Sequence, residues 1–352
     1  MSPRAPVRRL TCVLLGLAGA LAGGSLARAL VPWPYEYGLR AKVEYFAEHR
    51  DEFDTLFLGA STTYYGIVPE VFDAEMASRG YATRSFNFGV GGMTSVEADY
   101  VLRRLLELEP GNLRWLFVEA QNWEWNTFDG RNTFSLRNVN WHDLEHTRMA
   151  WECLRNTPTP AGAAPGWKWN KAWLTLRLMS RKYSGAGLGK HVVRRWLGLD
   201  PVEPSRADLD RARGYVNTDE LHDAEWDGRR AEFTRKLDEY PRANIDAANR
   251  GGSVKSHRNG LALVGQIRTI RAAGAEAIYY TGPFNFATPV VYRLADADVL
   301  PAYFGHNRPA DYPALYDPAN HTDPNHLNGT GARIWTRILA SEFADWLDAR
   351  EP

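Results

Sequence analysis

The stretch "DTLFLGASTTYYG", Asp54 to Gly66, decides how the rest of the chain is read. Its apolar run, Leu56-Phe57-Leu58, ends at Gly59-Ala60-Ser61, and a string of hydroxyl residues comes next. A short unbroken apolar run ended by a small-residue turn predicts a strand buried on both faces, as in a parallel sheet covered by helices. Ser61 then stands either as the cap of the next helix or as a nucleophile displayed at the strand end. Taken alone, the cap is the better reading. The stretch is not the nucleophile elbow of α/β-hydrolases, because Thr63 stands where that motif has its second glycine.

The same pattern recurs along the chain. Residues 38–50 have helical spacing, and "TRSFNFGVGG", 83–92, reads as a second strand. Residues 95–110 form an amphipathic pattern stopped by Pro110, and "LRWLFVEAQN", 113–122, reads as a third strand. A helix over 260–274, a strand over 275–283 and a last helix from about 329 to 349 complete the series. Alternating strands and helices predict an α/β layer fold with a central parallel sheet, spanning 38–352. Between about 124 and 255 the alternation fails, and a mainly helical insertion is expected there. From Cys153 to Leu199 it holds no acidic residue, while Lys168, Lys171, Arg177, Arg181, Arg194 and Arg195 alternate with Trp167, Trp169, Trp173 and Trp196. That composition fits a solvated basic face, or a surface turned toward a membrane or an anionic glycan.

The N-terminus carries Arg4, Arg8 and Arg9 and then the apolar segment "TCVLLGLAGALAGGSLARAL", 11–30. A basic start before an apolar stretch of this length predicts a signal anchor or a cleaved signal peptide, with a buried helix as the third reading. In the anchored case the arginines stay inside and the rest of the chain lies outside. Lys+Arg and Asp+Glu balance at 42 each over 352 residues, so nothing points to nucleic acid. The two cysteines, Cys12 and Cys153, exclude a disulfide framework and paired thiolate metal sites.

Three stretches at predicted strand ends carry possible chemistry, which is where ligands bind in open α/β sheets. The first is Gly59 to Thr63, where the Ser61 N–H would lie at a helix start. The second is "NFGVGGMTS", Asn87 to Ser95, whose glycines let backbone N–H groups approach a ligand, or simply make a tight turn. The third is "HTDPNHLNGTGA", His321 to Ala332, with Asp323 and His326 three residues apart before the last helix. An aspartate beside a histidine fixes the imidazole tautomer and stabilises its cation.

Together the three stretches resemble the SGNH, or GDSL-like, hydrolase family. The resemblance covers about 54–122 and 260–349, and "DPNHLNGTGA" is its most specific block. It implies a three-layer flavodoxin-like sandwich and a Ser61–His326–Asp323 triad. The oxyanion would be held by the N–H groups of Ser61 and Gly92 and the side chain of Asn122. No cofactor or metal is implied. The family's GDS is Gly59-Ala60-Ser61 here. Its GxND block is Ala120-Gln121-Asn122-Trp123, one position off an ungapped match, so Gln121 is an alternative donor. The layout also resembles exported bacterial members that O-acylate envelope polymers. The implied activity is hydrolysis of an acyl ester, or transfer of the acyl group to a carbohydrate or cell-envelope polymer. An inactive scaffold of the same fold and a membrane-associated interaction protein are the alternatives.

Other residues carry weaker signals. Tyr64, Tyr65, Trp123 and Trp125 are candidate walls of a substrate cleft, and Trp123 and Trp125 fit a core equally. Glu119 and Glu124 could act as an acid/base pair, but Glu119 reads better as a hydrogen-bonding group at the site's floor. His142 and His146 have metal-like i,i+4 spacing and are expected on a surface helix. His321, Asp323 and His326 lack a fourth ligand for a metal.

Overall fold

The computed structural model describes residues 4–121, 123, 130–237, 245, 248–249, 257–284 and 286–350. In chain order the elements used below are α1 (Arg4–Leu30), α2 (Leu39–His49), β1 (Thr55–Gly59), α3 (Ser61–Gly66), α4 (Pro69–Ser78), β2 (Ser85–Gly89), α5 (Ser95–Leu106) and β3 (Trp115–Glu119). Next come α6 (Leu136–Asn140), α7 (Leu144–Asn156), α8 (Trp167–Ser184), α9 (Gly189–Trp196), α10 (Arg206–Ala212), α11 (Ala224–Arg235) and α12 (His257–Ala272). The last are β4 (Glu276–Thr281), α13 (Pro289–Asp296), β5 (Tyr303–Gly305), β6 (His321–Asp323), β7 (His326–Leu327) and α14 (Gly329–Asp348).

The chain divides into two compact units, 1–40 with 124–203 and 41–123 with 204–352. The segment expected as one insertion, 124–255, is therefore split, and 204–255 belongs with the α/β unit. That unit holds a five-stranded, all-parallel sheet in the order β2-β1-β3-β4-β5, flanked by helices. The expected α/β class and parallel sheet are present. The fifth strand, three residues long, carried too short a pattern to be read in the sequence.

Burial explains the unbroken apolar runs. All five residues of β1 and of β2 are buried. Side chains alternate between the two faces of a strand. Phe57, Phe117, Ile278 and Tyr280 share one face and pack in a cluster with α4 and α14 through Phe72, Met76, Trp335, Leu339 and Phe343. Leu56, Leu58, Leu116 and Val118 alternate with them and are equally buried. Registers Leu58↔Val118 and Gly59↔Gly89 bring the C-terminal ends of β1, β2 and β3 level. The turns that leave these three strands therefore meet along one edge of the sheet.

The second unit is helical in its described residues. α8 packs on α7, α6 and α1, and Val31, Leu136 and Leu188 form a small buried cluster. α1 contains a stretch, Thr11–Leu30, long and apolar enough to cross a membrane.

Candidate active site

β1 ends at Gly59, the chain turns through Ala60, and Ser61 begins α3. Gly59 is required by its neighbours. A Cβ there would lie 2.0 Å from Thr63 Oγ1 and 2.3 Å from Glu119 Oε2, closer than real atoms approach. Those two groups hold the turn. Glu119, at the end of β3, accepts from the Ala60 N–H at 2.7 Å and from the Thr63 hydroxyl at 2.6 Å. Tyr280 of β4 lies 2.6 Å from the same hydroxyl, so its O–H donates to Thr63 while Thr63 donates to Glu119. Burial pushes the Glu119 carboxyl up, against the lowering effect of these bonds. Glu119 is thus the floor beneath the serine, as its sequence position suggested. Ser61 makes no side-chain cap of its helix: the cap position belongs to Ala60.

The histidine arrives from the other end of the chain. β6 and β7 form a hairpin in which Asp323 pairs with His326 across Pro324 and Asn325. Asp323 Oδ1 accepts the N–H groups of Asn325 and His326 at 2.8 and 3.0 Å, which closes the turn. Asp323 Oδ2 lies 2.7 Å from His326 Nδ1, and His326 Nε2 lies 2.8 Å from Ser61 Oγ. Burial raises the Asp323 carboxyl, but the bonds from His326, the Asn325 N–H and Arg229 outweigh it and hold it at about 2. An ionised Asp323 accepts a hydrogen bond, so Nδ1 carries the proton and Nε2 is left to accept from Ser61. Ser61 itself is half-buried.

Two neighbours of this triad went unread in the sequence, both from α11. Arg229 Nη1 donates to Asp323 Oδ2 at 3.1 Å, so that oxygen serves both the imidazole and a guanidinium. Trp226 meets the His326 ring edge-on at 5.7 Å between centroids, and Tyr65 of α3 does so at 5.5 Å. Trp226 and Arg229 are three residues apart and so share a face of α11. That spacing was the available signal, in a segment where no strand–helix alternation drew attention.

Gly92, expected at the oxyanion, takes φ 67°, and neither its N–H nor that of Ser61 donates to an acceptor among the described residues. Asn122, Glu124 and Trp125 lie outside the described residues. Gln121, the alternative donor, gives its amide to Glu119 Oε1 at 3.3 Å. Tyr64 and Trp123 are buried, and Tyr64 lines a pocket with Lys42, Val68, Arg213 and Tyr215. The Tyr64 ring lies under the Lys42 ammonium, 4.1 Å from its centroid, and Tyr65 is the tyrosine that meets the histidine. Lys42 was also missed: fully buried, it donates to the carbonyls of Asn87 and Gly89 at the end of β2.

His142 and His146 are buried, not on a surface helix. His142 bonds the Asn138 carbonyl, and His146 bonds Asp143, which caps α7. His321 is spent on the carbonyls of Leu315 and Asp323. No cluster of three metal-ligating side chains occurs among the described residues.

Comparisons with protein-family models, with curated proteins and with solved structures return no match for this chain. Its chemistry is therefore read from these side chains alone.

Proposed function

We propose that the protein is a serine-dependent acyl-ester hydrolase or O-acyltransferase of the SGNH type, acting on an ester of a carbohydrate or cell-envelope polymer. The observation that carries this reading is the chain of two hydrogen bonds, Ser61 Oγ to His326 Nε2 at 2.8 Å and His326 Nδ1 to Asp323 Oδ2 at 2.7 Å. The strand order supports reading the domain as the three-layer flavodoxin-like sandwich that the resemblance implies. The polymer substrate, and a location in a bacterial envelope facing the periplasm or exterior, rest on the resemblance and on α1 as an anchor or cleaved signal.

In this reading His326 Nε2 takes the hydroxyl proton as Ser61 Oγ attacks the ester carbonyl. The imidazolium is stabilised by the adjacent Asp323 carboxylate. The tetrahedral oxyanion takes hydrogen bonds from the N–H groups of Ser61 and Gly92 and the Asn122 side chain. Loss of one such donor typically costs on the order of 100–1000-fold in rate. His326 returns the proton to the leaving alcohol, and the acyl group stays on Ser61. Water or a sugar hydroxyl, deprotonated by His326, then attacks the acyl-serine carbonyl, and His326 gives that proton to Ser61 Oγ as the acyl–serine bond breaks, releasing the acid or the new sugar ester.

Labelling with a fluorophosphonate probe tests the nucleophile. Wild type should be labelled and Ser61→Ala should not. Folded wild type that takes no label rules the nucleophile out. Intact mass after incubation with acyl esters, with and without oligosaccharide, separates hydrolysis from transfer.

A further inference from the structure

We propose that the outward side of α8 and α9 is a membrane-surface platform, seated in the headgroup region of an anionic bilayer beside the point where α1 leaves it. This inference is independent of the chemistry at Ser61 and concerns only the helical unit.

The first observation is the pattern on α8. Thr175, Leu178 and Lys182 are buried, and this stripe faces the unit's interior. The opposite stripe, Trp169, Trp173, Arg177, Ser180 and Tyr183, has helical spacing and faces out. Trp169 is 74% exposed and Trp173 56%. The surface continues on α9 and just past it, where Trp196 is 83% exposed and Leu197 and Leu199 are more than half exposed. Arg194 and Arg195 lie between these apolar groups, and no acidic residue occurs from Cys153 to Leu199. Exposed apolar patches of this kind mark interaction sites. Tryptophan mixed with arginine and lysine suits the headgroup layer, where a ring keeps one side apolar and the other wet.

The second observation identifies the partner. The membrane-length helix is fixed to this same surface. A Cβ at Gly24 would lie 2.2 Å from the Ser184 carbonyl oxygen, so α1 touches the end of α8 backbone to backbone. The Arg28 guanidinium lies over the Tyr183 ring, and Ala27 and Val31 pack with Leu188 and Val192 at the start of α9. Gly24 precedes the end of the span at Leu30 by about 9 Å of helix rise. Interfacial helices bury their apolar side roughly 5–10 Å into the boundary. The depth at which α1 holds the end of α8 and the start of α9 thus matches the depth at which such helices sit. An acidic polysaccharide would satisfy the charges but would not account for the attachment of the span to this patch.

The test uses the full chain in vesicles. α1 contains no tryptophan, so in a Trp33→Phe background any quenching of tryptophan emission by brominated phosphatidylcholine reports on rings outside the span. Strong quenching is expected in vesicles containing phosphatidylglycerol. Adding Trp169→Ser, Trp173→Ser and Trp196→Ser should remove most of it. Lys190→Glu with Arg194→Glu should lower it toward the level seen in phosphatidylcholine alone. Equal quenching with and without the three tryptophans overturns the proposal. So does a result in which polygalacturonate, and not lipid, shields these rings from acrylamide.

Discussion

Replacing Glu119 asks whether the floor of the site holds the serine turn in place. In Glu119→Ala two buried donors, the Ala60 N–H and the Thr63 hydroxyl, lose their acceptor. Each orphaned donor costs roughly 1–3 kcal/mol, and the vacated volume adds about 1–2 kcal/mol. Removal of a carboxyl that burial disfavours gives back part of this, so a net loss of about 2–5 kcal/mol is expected. Glu119→Gln keeps the shape and one oxygen for both donors. Its loss of charge assistance, about 1 kcal/mol per bond, runs against relief of the buried charge, and stability should stay within about 1 kcal/mol of wild type.

The pH dependence separates the two further. Burial holds the Glu119 carboxyl above the free value of 4.5. The native state therefore keeps this proton at pH values where the unfolded chain has lost it. Glu119 makes stability fall as pH rises from about 4.5 to the folded pKa, and Glu119→Gln lacks that decline. Ser61 is one residue from Ala60, and a misplacement of about 1 Å can cost 100-fold in rate. Fluorophosphonate labelling of Glu119→Ala should thus slow by about 10- to 100-fold, and that of Glu119→Gln by only a few-fold. Urea unfolding at several pH values and labelling kinetics measure both quantities. Glu119→Ala with a wild-type urea midpoint and a wild-type labelling rate would refute the role assigned to this carboxylate.

Asp323, held at about 2 against 3.8 when free, contributes roughly 2–3 kcal/mol above pH 4 that is lost as pH falls toward 2. Asp323→Asn should flatten that part of an acid-unfolding curve, and an unchanged curve contradicts it. Arg229→Ala removes a cation that lowers the Asp323 carboxyl, so the acid-unfolding midpoint should move to higher pH and labelling should slow several-fold, with Arg229→Lys in between. Burial pushes the Lys42 ammonium well below its usual 10.5, so stability should rise with pH between the folded pKa and that value. Lys42→Met should abolish the rise, and parallel wild-type and variant curves argue against a buried lysine of this kind. Gly59→Ala places a Cβ into Thr63 and Glu119, and urea titration should show a loss comparable to that of Glu119→Ala.

The parts of the fold that were legible are those where burial acts on consecutive residues. "TLFLG" and "SFNFG" are buried at every position, so a parallel strand covered on both faces appears in the sequence as an unbroken run. The strand over 303–305 is too short for any such run, and its place beside β4 is set by register with Tyr279, Tyr280 and Thr281. Ser61, Asp323 and His326 were legible because each adjoins a strand end or a dense polar loop. Trp226, Arg229 and Lys42 were not. Their roles come from long-range contacts, with sequence separations of 94 for Arg229 to Asp323 and 47 for Lys42 to Gly89. Beyond the three-residue spacing of Trp226 and Arg229, the local pattern of "AEWDGRR", a polar helix with no marked apolar face, does not point to a partner so far away in sequence. Tyr64 and Tyr65 show how one turn of helix separates neighbours in sequence. Tyr64 is carried by the turn of α3 under Lys42, while Tyr65 takes the place at the histidine.

The spacing of Asp323 and His326 satisfies two sets of hydrogen bonds at once. Asp323 divides its two oxygens: Oδ1 closes the hairpin turn by accepting two backbone N–H groups, and Oδ2 faces His326 and Arg229. A proline in second position fixes φ for the turn that the aspartate side chain caps. Three residues is thus the separation at which one carboxylate can both close this turn and meet the ring of the residue that ends it. Asn328, two residues on, caps α14 by accepting the Gly331 N–H, while Leu327 enters the core. The hairpin is therefore pinned on the α14 side by its cap and on the α11 side by Arg229. These two fastenings orient the imidazole toward a serine that Glu119 and Thr63 hold from below. An aspartate that only met the imidazole could stand anywhere in the chain; one that also closes this turn must stand at 323.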